Sequence, residues 1–464
     1  MGAVDSKDHF LWYLWGIVGA ALALRILCAL PALTQGGDFL LRPDSHTYIL
    51  PAKALLSAGA YVESPGSVVP ATLRPPGYPC LLAGSFFVFG EILVIPALLG
   101  CLVSALACYP VGLCGHFFAG RAGGLIAAAF YALNLTSIAA GPLILADSVL
   151  GFLCAWQLYY VLRAWRERSL GCYAVTCALL AVGAFLKPIN TPILLLAMPV
   201  LAPVFFGFSR KTFCAWGTVA LAFSVLLFPW MLRNYRAGAD FDMDSNRGEM
   251  YYHSGSAILS AVTHENSETL RERMRRDMET FLSEHPDDFP NVRAKNAWKN
   301  ARYMDLIRNH PVAFLQTHLP QYAMLLPDLP TFLENNALSV SGRGTLAVLR
   351  EQGVYAALNH YLDGRLILLA PALPFLAVAA FMYLFAAWTL LLWLIKWKWR
   401  LGLIFGAFAF FYLFAGGPVT MPRYQIPALP FLCAMAAFGV VFLVRTGREF
   451  RNRRTRKPLP MYDI

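Results

Sequence analysis

The chain has 464 residues, of which 58% are hydrophobic and only 14% charged, with a net charge of +11. Soluble globular domains carry roughly 25% charged residues, so this composition excludes an ordinary soluble protein. The basic excess does not mark a nucleic-acid binder. Arg163, Arg166 and Arg168, then Arg210 and Lys211, then Lys396, Lys398 and Arg400, and finally the tail RTGREFRNRRTRK all sit where apolar runs end. That is the positive-inside pattern of cytoplasmic loops, and the tail also suits contact with anionic membrane lipid.

In chain order, the first apolar run, FLWYLWGIVGAALALRILCALPAL, is long and carries Arg25 within it. It reads as a retained anchor rather than a cleaved signal peptide. Further spans are expected, so that the set lies near 10–31, 93–115, 122–141, 148–164, 170–186, 190–207, 212–231, 366–395, 401–417 and 425–445. The expected fold is therefore an all-α polytopic membrane protein with about ten transmembrane helices, each about 20 residues long, and extracytoplasmic interfacial helices. An even number of spans with a basic cytoplasmic tail places the N-terminus inside too. The loop 32–92, the turn 141–147, the segment 232–365 and the turn 417–424 then face the outside of the plasma membrane, where no nucleotide triphosphate is at hand. Three regions follow: a membrane module over 1–231, an outer loop region over 232–365, and the last spans with the basic tail over 366–464.

Between the first two spans, SHTYILPAKALLSAG reads as a helix ending near Gly59, with Asp44 at its head and Pro51 inside it. GYPCLLAGSFFVFGE is apolar but short for a span, which suits a helix lying in the interface. Within 232–365, SETLRERMRRDMETFLSEH places Leu270, Met274, Met278, Phe281 and Leu282 at helical spacing. NVRAKNAWKNARYMDLIRNH is a second helix that stops at Pro311, and the following HPVAFLQTHLPQYAMLLPDLP is broken by prolines. The ten cysteines lie in or beside apolar segments without a C-x-x-C pair, so they read as small core residues.

The outward face gathers two carboxylates, Asp44 and Asp147, and four cations near the membrane plane, Arg74, Lys187, Arg233 and Arg423. Each carboxylate has a plain structural role as a helix N-cap. Each cation has one too, with its stem in apolar surroundings and its head at the headgroups. Ionisable side chains at membrane depth are costly, which makes the set a functional candidate. Carboxylates and cations in one outward cavity suit transfer of a sugar from a lipid phosphate. A carboxylate takes the proton of an attacking hydroxyl, and Arg and Lys stabilise the departing phosphate. No HExxH, GxxxxGK[ST] or GxSxG is present. Two outer histidines, His46 and His253, are candidate ligands for a divalent cation, but scattered singly they define no site, and no metal is assigned.

With these residues in view, the stretches DSHTYILPAKALLSAGAY and LRPPGYPCLLA resemble the first outer loop of bacterial polyprenyl-phosphate-dependent glycosyltransferases of the C class. That group includes the lipid A aminoarabinose transferases and relatives of the protein O-mannosyltransferases. LILADSVLGFL, GAFLKPINTPILLL, PWMLRNYRAGADFDMDSNRGEMYYHSG, IRNHPVAFLQTHL and PRYQIPALPFL continue the likeness in order, from about residue 20 to about residue 440. The resemblance implies a membrane module of this class, with Asp44 and Asp147 as catalytic residues. It implies donor-phosphate contacts from Arg74, Lys187, Arg423 and Tyr424, and substrate contacts from Tyr48, Tyr78, Arg233 and Asn246. The implied partners are a polyprenyl-phosphate sugar as donor and a lipid, glycan or protein acceptor. Two departures stand out. Ser45-His46-Thr47-Tyr48 follows the first aspartate where relatives carry Glu or another polar residue and then Tyr, and Asp147 stands where relatives often have Glu. A lipid or polysaccharide transporter is the competing class, weakened by the lack of an inverted repeat. A polymerase or ligase with a diphosphate-linked donor is a third.

Overall fold

The computed structural model describes residues 5–319, 325–338, 345–395, 399–418 and 421–454. The described residues hold no strand, and a single antiparallel bridge joins Val62 and Pro70. The chain opens with α1 (Asp5–Cys28), the short α2 (Leu30–Gln35), α3 (His46–Ala58) and α4 (Gly77–Phe89). The membrane core continues with α5 (Val94–Leu106), α6 (Cys108–Ala132), α7 (Leu135–Ala140), α8 (Asp147–Glu167) and α9 (Leu170–Ala184). Two further apolar helices follow, the shorter α10 (Asn190–Phe206) and the longer α11 (Arg210–Arg236). The region expected on the outer side is α12 (Met250–Thr263), α13 (Ser267–Glu284), α14 (Val292–Asn309), α15 (Pro311–His318), α16 (Leu329–Asn335) and α17 (Thr345–Tyr361). The last elements are α18 (Leu373–Ile395), α19 (Trp399–Phe414) and α20 (Leu429–Arg454).

Each expected apolar run is helical. Among the described residues, five stretches are long and apolar enough to cross a bilayer: His9–Cys28, Val94–Ala132, Arg210–Arg236, Leu373–Ile395 and Pro422–Glu449. Val94–Ala132 is not one rod. Ala119 and Gly120 leave helical geometry, with Gly120 at φ +68°, a conformation glycine adopts without steric cost. The chain reverses there, where the expected spans also part. α10 and α11 each contain one π-helical turn, at Ile193–Ala197 and Phe223–Leu227, which no pattern of apolar residues announces.

The core lies among α1, α5, α6, α8, α9 and α18–α20. Arg25 is fully buried in it. Its guanidinium donates to Ser104 Oγ (2.8 Å), Ser137 Oγ (2.7 Å) and the carbonyls of Ala21 (3.1 Å) and Ala132 (3.4 Å). One side chain thus pins α1 to α5 and to the corner between α6 and α7. Seven of the ten cysteines are buried and Cys28 is half-buried, but Cys80 and Cys214 are exposed. For those two the core expectation is corrected, since they lie on outward faces of α4 and α11.

α3 packs on α4, and both add buried side chains to the same core, among them Ile49 and Leu82. α3 runs through Pro51 unbroken and closes at Gly59, whose N–H donates to the Leu55 carbonyl at 3.1 Å. Within the region expected on the outer side, Leu270, Met274 and Met278 of α13 are buried as their spacing predicts, and the two methionines pack with Tyr252, Tyr251 and Trp298. α14 ends at Asn309, with only His310 between it and Pro311, which opens α15. Residues 320–324 of the proline-broken stretch, Lys396, Lys398 and the tail from 455 lie outside the described residues.

Candidate active site

The site is built from five short stretches that sequence separates widely. In the first, Arg42 and Ser45 close a turn on one another: Arg42 N–H donates to Ser45 Oγ at 2.9 Å and Ser45 N–H to the Arg42 carbonyl at 2.8 Å. α3 begins at His46 with Ser45 in the capping position and no side-chain cap. Asp44 therefore does not cap the helix with its carboxylate, which corrects the capping expectation. Arg74 Nη2 lies 3.1 Å from Asp44 Oδ1, and Arg423 Nη2 lies 2.7 Å from Oδ2. Charge-assisted bonds to two guanidinium groups outcompete a neutral backbone N–H.

Arg74 is held on all sides. Its Nε donates to Thr47 Oγ1 at 3.0 Å, and its guanidinium stands 5.2 Å from the centre of the Tyr48 ring. Tyr48 in turn meets Tyr78 edge-on at 5.3 Å, with both rings buried. Burial works against the Arg74 charge, but Tyr48 and Asp44 outweigh it and raise the group above its ordinary value. The Arg-Pro-Pro-Gly-Tyr-Pro turn explains the placement. Gly77 N–H donates to the Phe185 carbonyl at 2.9 Å, and a Cβ on Gly77 would lie 2.6 Å from that oxygen. Only glycine lets the first outer loop dock this closely on the turn that carries Lys187.

Asp147 opens α8, again without a side-chain cap. The capping expectation is corrected here too, because Lys187 Nζ takes its Oδ1 at 2.6 Å. Asp147 is 3% exposed and Lys187 22%. Burial pulls the Lys187 ammonium down, while Asp147, Tyr48 and Tyr424 pull it further up, so the lysine stays charged. The last stretch, Pro422–Ala428, is a 3₁₀ turn in which Arg423 is buried. Lys187 Nζ lies 5.2 Å and the Arg423 guanidinium 5.5 Å from the centre of the Tyr424 ring. Tyr424 thus stands between the Asp44 group and the Asp147 group. Gln425 locks the turn by accepting from the Tyr383 hydroxyl and donating to the Leu326 carbonyl at 3.2 Å.

Two of the expected substrate contacts, Arg233 and Asn246, have partners within the chain. Arg233 donates to the carbonyls of Ala71 (2.6 Å) and Tyr61 (2.7 Å) and stacks 4.9 Å from the Trp230 ring. It braces the loop that carries Arg74. Asn246 gives its backbone N–H to Asp244 Oδ1 at 3.1 Å. His46 is exposed, and His253 Nδ1 lies 3.3 Å from Arg271. Among the described residues no group of three His, Cys, Asp or Glu side chains is gathered as a metal site.

Sequence reasoning missed two carboxylates beside the arginines. Ser245 is tied to Thr72 by a backbone bond of 2.8 Å and a hydroxyl contact of 3.1 Å, which brings Asp244 into the field of Arg74. Burial pushes the Asp244 carboxyl up to about 7, with Asp242 adding to the rise and the Asn246 N–H and Arg74 opposing it. The alternation Asp240, Asp242, Asp244 in ADFDMDS was its available signal. Asp328 caps α16 through the Thr331 N–H at 3.2 Å, is raised by burial, and feels Arg423 and Arg42. Arg42 itself pairs with Glu334 at 2.7 Å.

The arrangement therefore offers an aspartate between two arginines, a second aspartate–lysine pair, and an aromatic ring between them. Such a set can orient a hydroxyl on a carboxylate and hold an anion on neighbouring cations.

No family model matches the sequence, and no curated protein matches it. Solved structures do. The oligosaccharyltransferase AglB of Archaeoglobus fulgidus, in complex with an inhibitory peptide and a dolichol-phosphate, matches with a TM-score of 0.56 at 13% identity, covering 99% of this chain and 53% of that one. The same organism's oligosaccharyltransferase tethered to an acceptor peptide matches with a TM-score of 0.53 at 14% identity, covering 97% of this chain and 51% of that one. ArnT of Cupriavidus metallidurans in the apo state gives a TM-score of 0.38 at 13% identity, covering 97% of this chain and 81% of that one. This chain spans about half the length of the archaeal enzyme, as the 53% coverage states.

Proposed function

We propose, for a chain that shares the membrane fold of the C-class glycosyltransferases, that it transfers a sugar from a polyprenyl-phosphate donor to an acceptor hydroxyl on the extracytoplasmic face. The observation that carries this reading is Asp44 held between Arg74 and Arg423, with the Asp147–Lys187 pair across Tyr424. The acceptor oxygen attacks the anomeric carbon and its proton passes to Asp44. The bond from that carbon to the phosphate oxygen breaks, and the electron pair leaves with the polyprenyl phosphate. Arg423, Arg74 and Lys187 hold that phosphate. The transfer inverts the anomeric centre because it is a single displacement.

Arg74, Arg423 and Lys187 lie beside Asp44 and Asp147, so the cations that receive the charge developing on the leaving phosphate stand next to the base that takes the acceptor's proton.

The test is transfer in membranes from cells with and without the protein, with labelled polyprenyl-phosphate sugars supplied one at a time. Label is expected to reach an acceptor with the active protein and not with Asp44→Asn. Transfer from a diphosphate-linked donor alone would replace this reading with the polymerase one. Full transfer by Asp44→Asn would remove Asp44 from the reaction.

A further inference from the structure

Beneath the ion pairs, three helices meet at one hydroxyl inside the apolar core, and a fourth is tied to them through Gln157. The Tyr412 hydroxyl on α19 donates to Asn190 Oδ1 on α10 at 2.9 Å and lies 3.4 Å from Gln157 Oε1 on α8. Cys154 Sγ lies 3.6 Å from the same oxygen, and Gln157 Nε2 donates to the Leu179 carbonyl of α9 at 3.0 Å. Gln157, Asn190 and Tyr412 are all essentially without solvent contact, at 4%, 0% and 1% exposure.

Packing alone does not ask for this cluster. The Asn190 amide nitrogen has no partner, nor does the adjacent Thr191 hydroxyl. A buried unpaired polar group is a standing cost, and an apolar residue at each position would avoid it. The approach also demands Gly183, since a Cβ there would collide with the Asn190 amide. What the polar groups add is direction: hydrogen bonds fix the register of helices that apolar contacts leave free to slide.

The helices so fixed are those that carry the site. α8 bears Asp147 ten residues above Gln157, about 15 Å along its axis. α10 begins three residues after Lys187, in the sequence Lys187-Pro188-Ile189-Asn190. α19 packs on the 3₁₀ turn that holds Arg423 and Tyr424. We propose that Tyr412, Asn190 and Gln157 are positioning residues that set Lys187 against Asp147 and Tyr424 and thereby fix the seat of the donor phosphate. This rests on the function proposed above.

The test reads binding rather than turnover. Full-length protein in phosphatidylcholine nanodiscs is titrated with undecaprenyl phosphate and followed by tryptophan fluorescence, with melting temperature measured on the same samples. Tyr412→Phe removes only the hydroxyl and is expected to weaken binding roughly 3- to 15-fold, the span of one side-chain hydrogen bond between membrane helices. Asn190→Ala is expected to do the same, and the double variant to bind no worse than the weaker single, because both act through one node. Lys187→Gln calibrates the loss of the phosphate contact itself. Thr389→Val removes a buried hydrogen bond of 2.8 Å to the Met435 carbonyl, remote from the site, and is expected to leave binding unchanged whatever it does to melting.

If Tyr412→Phe and Asn190→Ala bind as wild type while Lys187→Gln loses binding, the positioning role is overturned. Equal weakening by Thr389→Val overturns it as well, since the effect would then be general loosening. Should Asn190→Ala fail to fold, Tyr412→Phe decides alone. Absence of binding by the wild type would instead overturn the proposed donor, and this inference with it.

Discussion

At the scale of single residues, the two ion pairs make different demands. Asp147 is almost wholly buried, and Lys187 is its counter-ion. Removing one partner of a buried pair leaves a bare charge and costs about 3–5 kcal/mol. Lys187→Met is therefore expected to lower the melting temperature strongly and abolish transfer. Lys187→Met combined with Asp147→Leu is expected to regain most of the stability and none of the activity, which separates the structural demand from the chemical one. Asp244 gives a pH signature. Its carboxyl titrates at about 7 in the folded protein against about 3.9 when unfolded. Between those values the native state binds the extra proton, so stability falls as pH rises from about 4 to about 7. Asp244→Asn mimics the protonated form and keeps the acceptor for the Asn246 N–H. Melting curves across this range should show the variant increasingly more stable than wild type above pH 4, with the gap levelling off past pH 7. A gap independent of pH would deny the shift. Asp44 and Asp147 were legible as candidates because a carboxylate at the head of an outward helix is a recognisable placement. Their partners were not paired from the sequence, since Asp44 meets residues 30 and 379 positions away. The capping reading failed for the same reason, as it weighs only neighbours along the chain.

At the scale of elements, the placement of Arg74 depends on backbone approach. Gly77→Ala would put a methyl 2.6 Å from the Phe185 carbonyl, so the turn must move off the Lys187 segment. Transfer is expected to fall at least 10-fold, with only a modest change in melting. The contrast is checked by measuring both on one preparation. Arg233→Met removes the brace on Ala71 and Tyr61. It is expected to raise the KM for the donor more than it lowers kcat, which steady-state kinetics will show. Helices with a clear period or a proline boundary, such as α13 and α14, were readable in advance. The reversal at Ala119 and Gly120 was visible only as a gap between apolar runs. The π turns in α10 and α11 left no trace, because an inserted residue shifts the helical phase without changing composition.

At the scale of the whole molecule, hydropathy and basic clusters are enough to read a helical membrane protein, because a bilayer permits few backbone arrangements. The region expected on the outer side was less legible beyond its two periodic helices, since the packing of its segments depends on scattered side chains such as Asn296, which joins Asp240 to Ser245. A ligand that binds only the folded form stabilises it by about 2.7 kcal/mol at a hundredfold excess over Kd. Undecaprenyl phosphate should therefore raise the melting temperature of the wild type and not that of Arg423→Gln.

Arg25 bears on how the chain is made. Its hydroxyl partners Ser104 and Ser137 emerge from the ribosome 79 and 112 residues later. Until both have arrived α1 carries a cation whose one partner is its own Ala21 carbonyl, at a cost of up to about 2.5–3.5 kcal/mol if seated at mid-membrane. α1 is thus expected to stay at the insertion machinery or shallow in the bilayer, and to settle only when the α6–α7 corner arrives. Nascent chains arrested before and after residue 137, probed by crosslinking from α1 to the translocon, should show contact in the first and release in the second. Release in both would mean that α1 inserts alone.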